Sequence, residues 1–248
     1  MKHAMVAWRL IVLTAILSLP VNAGAGQHQS YTDEQIATII NHDLRAKGIE
    51  TVDVEVKDGV VTLRGRVKSA WQMDTAYEIA RDTHDVKDVR TELVVERGES
   101  DESLDYRLRA AIDNNVFYGM FDAVSGTVEN GVATLTGWVT NPYKSAELVE
   151  SASRVPGVTE VRNEIKVLPV SFYDDGLRRR LASAIYSELP ELASQKPALI
   201  HIIVDNGRVT LVGVVRTRLE RVRAEQAARS MLDALSVENE LLVESPGD

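Results

Sequence analysis

The 248-residue sequence contains no cysteine. That excludes disulfide scaffolds, thiol nucleophiles, iron–sulfur clusters and thiolate zinc sites. It also removes the cysteine that a bacterial lipoprotein anchor needs at its cleavage site. Aromatic residues make up only 5%. Chemistry is left to carboxylates, hydroxyls and five histidines. A basic excess is missing too: 28 Lys and Arg stand against 37 Asp and Glu, a net charge of −9. Residues 1–25 hold Lys2 and Arg9 and no acid, so a chain without them carries −11. That balance disfavours wholesale binding to nucleic acid. What is present, 44% apolar and 26% charged residues, is the mixture of a globular chain with one large domain or several small ones.

The amino terminus reads as an address. Lys2 and Arg9 precede an uncharged run from Leu10 to Leu19, then Pro20, then small residues ending Ala23-Gly24-Ala25. This is the order of a secretory signal, with cleavage expected after Ala25 or Ala23. The run falls short of the roughly 20 residues that a spanning helix needs, which makes an uncleaved anchor the weaker reading. The mature protein is expected to be soluble and exported.

The rest of the chain repeats itself. Asp58-Gly59-Val60-Val61-Thr62-Leu63-Arg64-Gly65-Arg66-Val67 matches Asn130-Gly131-Val132-Ala133-Thr134-Leu135-Thr136-Gly137-Trp138-Val139, and both match Asn206-Gly207-Arg208-Val209-Thr210-Leu211-Val212-Gly213-Val214-Val215. Gly59 and Gly131 lie 72 residues apart, Gly131 and Gly207 76. The same offsets carry Ser69 onto Asn141 and Thr217, and Val89-x-Thr91-x-Leu93 onto Val161-x-Asn163-x-Ile165 and Val237-x-Asn239-x-Leu241. Self-similarity at such a period marks an array of modules.

Each module reads in the same order. In the first, Thr32 and Gln35 predict a capping box, Ile36, Ile39, Ile40 and Leu44 share a helical face, and Gly48 is placed to end the helix. Val52, Val54 and Val56 alternate as a strand. Asp58-Gly59 supplies a tight hairpin, and Val61, Leu63, Gly65 and Val67 alternate back. A second helix starts at the N-cap residues Ser69, Asn141 and Thr217, with Pro142 at the first helical position of copy two. Met73, Ala76, Tyr77 and Ala80 are its buried stripe in copy one; Leu148, Val149, Ala152 and Val155 serve in copy two. A third strand closes the unit. The expected fold is α+β: three tandem α-β-β-α-β modules, each a small mixed three-stranded sheet with two helices on one face, over residues 26–98, 99–169 and 170–248.

The [Asp/Asn]-Gly-x-Val/Ala-Thr-Leu-x-Gly-x-Val hairpin, followed in copy two by Gly157-Val158-x-x-Val161-x-Asn163, resembles the BON domain, named for bacterial osmotically inducible and nodulation proteins. Copy three departs from it, with Asp233-Ala234 at the Gly-Val pair and about seven extra residues around Pro190 to Pro197. The resemblance implies a periplasmic protein of Gram-negative bacteria, tied to envelope integrity or osmotic stress and to phospholipid binding. Its signature residues, Gly59, Gly65, Gly131, Gly137, Gly207 and Gly213 among them, are structural, so no catalytic residue carries over.

The residues announce no enzyme either. His42, His84 and His201 have no helical metal-ligand spacing, no Gly-x-Ser-x-Gly elbow occurs, and what repeats is apolar and turn-forming. No cofactor and no metal are expected. Three stretches stand out as binding candidates. Phe117-Tyr118-Gly119-Met120 falls at the offsets of the polar Arg45-Ala46-Lys47-Gly48, with Phe121 over Ile49 and expected in the core. Either this segment packs on a neighbouring repeat or its own loop, or it forms a wedge for a lipid interface or an apolar partner. On the outer sheet faces, Trp138, Val212 and Val214 suggest that sheets two and three meet each other or a partner, leaving copy one loosely joined through Arg97–Asp101. Arg216, Arg218 and Arg221 flank a helix start, where they oppose the dipole. With the free amides there they form a candidate anion site; the alternative is local pairing, such as Arg221 with Glu225.

Overall fold

The computed structural model describes residues 30–244; the leader expected over residues 1–25 lies outside them. Module one runs α1 (Asp33–Ala46), β1 (Val52–Lys57), β2 (Val60–Val67), α2 (Ala70–Asp82) and β3 (Asp88–Val95). Module two repeats the order with α3 (Asp101–Asp113), β4 (Ala123–Glu129), β5 (Val132–Val139), α4 (Pro142–Ser153) and β6 (Glu160–Val167). Module three follows with α5 (Phe172–Glu188), β7 (Ile200–Asp205), β8 (Arg208–Val215), α6 (Arg218–Arg229) and β9 (Ser236–Val243). Each sheet has its middle strand second in sequence, antiparallel to the first and parallel to the third.

Local chemistry explains the boundaries. Thr32 and Gln35 form the expected capping box, and Ser69, Asn141 and Thr217 cap the second helices. Asp58-Gly59, Asn130-Gly131 and Asn206-Gly207 all take positive φ, the backbone of a two-residue hairpin whose twist matches its strands. The second glycine of the motif does something else. At Gly137 (φ +117°) a Cβ would lie 2.0 Å from the carbonyl oxygen of Ala123 on the paired strand. Only the missing side chain lets β4 and β5 approach there.

Each module buries its own core between two helices and one sheet face. In the first, Ile36, Ile40 and Leu44 of α1 and Ala76 and Ala80 of α2 meet Val61, Leu63 and Val67 of β2. Met73, Ala76 and Ala80 of the expected α2 stripe pack on the core, but Tyr77 is exposed and Ile79 packs there instead. The equivalent centres are Leu104, Leu108, Leu135 and Leu148 in module two and Leu177, Leu181, Leu211 and Ala224 in module three.

The modules differ in the connection from first helix to first strand. It spans residues 47–51, 114–122 and 189–199, that is five, nine and eleven residues. The connection of module two is therefore four residues longer than that of module one, and the Phe117–Phe121 stretch lies within it. It does not replace the end of a helix, because α3 stops at Asp113 with Asn114 as its C-cap.

Candidate binding surface

The longer connection of module two divides into two halves with opposite fates. Gly119, Met120 and Phe121 reach module three. The Ile202 N–H at the free edge of β7 donates to the Met120 carbonyl (2.7 Å), and His201 Nδ1 lies 3.3 Å from the Gly119 carbonyl. Phe121 packs against the core of module three, so the expectation that it fills its own core is corrected. Tyr118 packs on the module-two core, and its ring also lies 5.2 Å from that of His201. Burial holds the His201 imidazole below its ordinary pKa, opposed by its bonding to the Gly119 and Asp122 backbone and by the Asp113 and Asp122 charges. Burial pushes the Tyr118 hydroxyl up to about 12. Asp122, fully buried, fixes the loop base by accepting from Lys144 Nζ (2.7 Å), the Thr140 N–H (2.9 Å) and the Gly119 N–H (3.0 Å).

The other half of the loop faces out. Val116 is 87% exposed and Phe117 40%. The Phe117 ring meets Tyr143 of α4 edge to face at 5.0 Å, and Tyr143 is 54% exposed. The Phe117 N–H is held by Asn115 Oδ1 (2.9 Å), and Asn115 in turn donates to Ser151 Oγ of α4 (2.9 Å). Tyr143 and Val116 were not singled out from the sequence. Tyr143 sits at offset N2 of a helix, where an aromatic residue carries no special signal until the loop folds over it.

The outer sheet faces carry a second apolar surface. Ala123, Leu168, Ile203 and Val212 pack together across the junction of modules two and three. The expected meeting of these sheets is thus realised at Val212 but not at Trp138 or Val214, which stay exposed. Register makes the set continuous. Trp138 pairs with Ala123, Val214 follows Val212 on the same face, and Val214 pairs with the exposed Leu242. In module one the equivalent face is an ion ladder, with Arg64 donating to Glu55 (2.6 Å) and Glu92 (2.9 Å).

The three arginines are brought near one helix start but are not left free together. Glu220 fills the position foreseen for an external anion: it accepts from the Arg216 N–H (2.8 Å), the Thr217 N–H (3.0 Å) and Arg216 Nη2 (3.2 Å). Arg221 donates to the Asn239 carbonyl (3.2 Å) instead of pairing with Glu225, which binds Arg229 (2.8 Å). Arg218 is exposed.

Nor is module one loosely joined. The Ala70 N–H donates to the Val158 carbonyl and the Gly157 N–H to the Lys68 carbonyl, both at 2.8 Å. Arg154 of module two lies over the Trp71 ring, 4.0 Å from its centroid. The Gly157-Val158 pair of the signature therefore also serves as a docking turn.

One repeated polar device escaped the sequence reading. An aspartate in the first turn of each first helix accepts both N–H groups of the hairpin turn: Asp33 from Asp58 and Gly59, Asp101 from Asn130 and Gly131, Asp174 from Asn206 and Gly207, at 2.7–3.0 Å. Fixed offsets of 72 and 76 hide it, because the loop insertions shift the helices. Aligning the N-caps Thr32, Ser100 and Ser171 brings Asp33 and Asp101 into register but not Asp174, which stands two positions further into its helix. Among the described residues, no group of three or more His, Asp or Glu could hold a metal ion, and no helix is long and apolar enough to cross a membrane.

The BON domain profile matches residues 32–97, 100–169 and 178–245. The chain belongs to the BON domain family, as a protein with three such domains. No curated protein matches the sequence. Among solved structures it is similar to the C-terminal domain of CdsD, the structural protein of the type III secretion system of Chlamydia trachomatis, with 14% identity over 87% of this chain and 100% of that one and a TM-score of 0.25. It is also similar to the periplasmic domain of the type III secretion inner-membrane protein PrgH from S. typhimurium, with 14% identity over 82% and 97% and a TM-score of 0.21. At these scores the likeness carries no argument about arrangement or function.

Proposed function

We propose that this chain is an exported, non-enzymatic periplasmic protein, freed by cleavage of its leader, that binds phospholipid at the envelope and supports envelope integrity under osmotic stress. BON family membership supports the envelope setting. The observation that carries the lipid reading is the exposed pair Val116 and Phe117, on a loop braced from behind by Asn115 and Asp122, with the exposed Tyr143 of α4 against the Phe117 ring. Fully burying such a side chain contributes about 1.5–3 kcal/mol, of which an interfacial wedge realises part. With a chain charge of −11 beyond residue 25, long-range attraction to anionic lipid is opposed, so contact is local. Arg218 and Arg221 stand as secondary headgroup contacts.

Flotation of the exported form with phosphatidylglycerol and phosphatidylcholine vesicles tests this. Phe117→Glu is expected to lower the bound fraction about tenfold, the loss of about 1.4 kcal/mol. Failure of the parent protein to float on either vesicle refutes the lipid reading. The Trp138, Val214 and Leu242 stripe favours a second reading, a protein-interaction or chaperone-like module for envelope proteins. It predicts that Trp138→Asp abolishes capture of an unfolded envelope protein while Phe117→Glu leaves it unchanged.

A further inference from the structure

The backbone joint between modules one and two has a second receiving half, in module three, that neither reading above uses. In the joint, the β2–α2 junction offers the Lys68 carbonyl and the Ala70 N–H, and the turn before β6 answers with the Gly157 N–H and the Val158 carbonyl. Helix α4 then lies beside α2. The repeat offsets place Pro142 and Arg218 at the position of Ala70. Pro142 has no N–H to give, so module two cannot receive a turn in this way, and module three joins it through Met120 and Phe121 instead. Module three keeps the receiving half. Among the described residues, neither the Arg216 carbonyl nor the Arg218 N–H makes a hydrogen bond.

The inserting turn recurs in module one. There the Val86 N–H donates to the Thr83 carbonyl (3.3 Å) and the Lys87 N–H to the Gly59 carbonyl (2.8 Å), as Val158 does to Val155 (3.1 Å) and Thr159 to Gly131 (2.8 Å). Asp85 takes φ +67° where Gly157 takes +97°, a conformation that a residue with a side chain adopts only where the turn demands it. The Val86 carbonyl, counterpart of the one that seats Val158, accepts no hydrogen bond among the described residues. Module three lacks this turn, since Asp233 has no positive φ. Charge matches the two halves. Helix α6 carries four arginines against Glu220 and Glu225, and those acids are engaged by Arg216 and Arg229, which leaves Arg218 and Arg223 exposed without an ion pair. On α2 the exposed Glu78 has no cation partner, and its charge helps burial to hold Asp74 above the ordinary carboxylate range.

We infer that copies of this chain associate head to tail, the Val86 turn and α2 of one copy seating on the β8–α6 junction of the next, with the Arg218 N–H donating to the Val86 carbonyl and Glu78 against Arg223. The joint already made within the chain supplies the geometry. Glu150 of α4 and Thr75 of α2 line one groove there, and the same offsets turn that pair into Glu78 and Arg223, while Leu219, 58% exposed, takes the place of Trp71. Opposite charges then fix the register of a small contact. Because the two halves are different surfaces of one chain, the contact repeats from copy to copy and yields a ring or a filament rather than a closed dimer.

Sedimentation velocity of the exported form over a concentration series tests this. The weight-average mass is expected to rise with concentration beyond that of a dimer. Arg218→Pro copies Pro142 at a first helical position, where proline is tolerated, and is expected to weaken association about tenfold or more. Arg218→Ala copies Ala70, keeps the N–H and is expected to retain association. Glu78→Arg and Arg223→Glu each weaken it, and the two together in one chain restore it, a readout that does not depend on how well the proline variant folds. A mixture of Arg218→Pro and Glu78→Arg chains is expected to stop at dimers, because each keeps one working half. A parent that stays monomeric or stops at a dimer overturns the inference, as do equal effects of Arg218→Pro and Arg218→Ala or a charge swap that fails to restore association.

Discussion

The aspartate clamp shows how a single carboxylate holds a module together. The hairpin turn presents two adjacent N–H groups that the sheet cannot use, and an acid at the start of the first helix takes both, favoured there by the helix dipole. Asp174 is fully buried whereas the clamps of modules one and two are more accessible, so its loss leaves the buried Gly207 N–H without a partner. Asp174→Ala is expected to cost about 2–4 kcal/mol in urea unfolding and Asp33→Ala about 1–2 kcal/mol. Equal costs at the two sites would contradict a burial-driven clamp. The turn residues were legible in the sequence because Asp-Gly and Asn-Gly carry their own φ preference. Their anchor was not, since Asp33, Asp101 and Asp174 stand at different distances from the turns they hold.

At the scale of elements, the regular helices and strands were readable from period and caps, whereas the connection at 114–122 was not. Nothing in Phe117-Tyr118-Gly119-Met120-Phe121 says that alternate parts point to solvent and to the next module. That division arises because Asp122 and Asn115 pin the loop at both ends, leaving Gly119–Phe121 against β7 and Val116–Phe117 outside. The Met120 carbonyl satisfies a donor on the β7 edge, which also guards that edge from other strands. Phe121→Ala is expected to destabilise module three by about 1–3 kcal/mol, since the ring is only partly buried there, and to leave module one unchanged. Hydrogen exchange resolved by module checks this, with loss of protection in α5 and β7 but not in α1 and β1.

For the whole molecule, the junction of modules two and three is the pH-sensitive one. Burial lowers the folded-state pKa of His201 below its unfolded value of about 6.5. The unfolded chain then binds more protons than the folded one as acid is added. The stability that neutral His201 brings is fully present above pH about 6.5 and falls away as the pH drops toward the folded-state pKa. Asp113 faces the same ring and is shifted upward by burial, which offsets part of the loss at lower pH. Asp122, paired with Lys144, is the other charge near the ring. Urea midpoints are expected to decline from pH 7.5 to 5.5, and His201→Phe, which keeps a ring beside Tyr118, to flatten that slope. An unchanged slope would remove His201 as the sensor.

By itself the sequence determined three modules, their α-β-β-α-β order, their hairpins and caps, and BON family membership. These follow from local preferences and from a period that recurs regardless of context. Only the tertiary structure decided how the modules are joined. Docking of Lys68–Ala70 on Gly157–Val158, the crossing of Phe121 into the next core, the seating of Arg154 over Trp71 and the exposure of Phe117 with Tyr143 all depend on contacts between residues far apart in the chain. Such contacts leave no period to read, because each is made once.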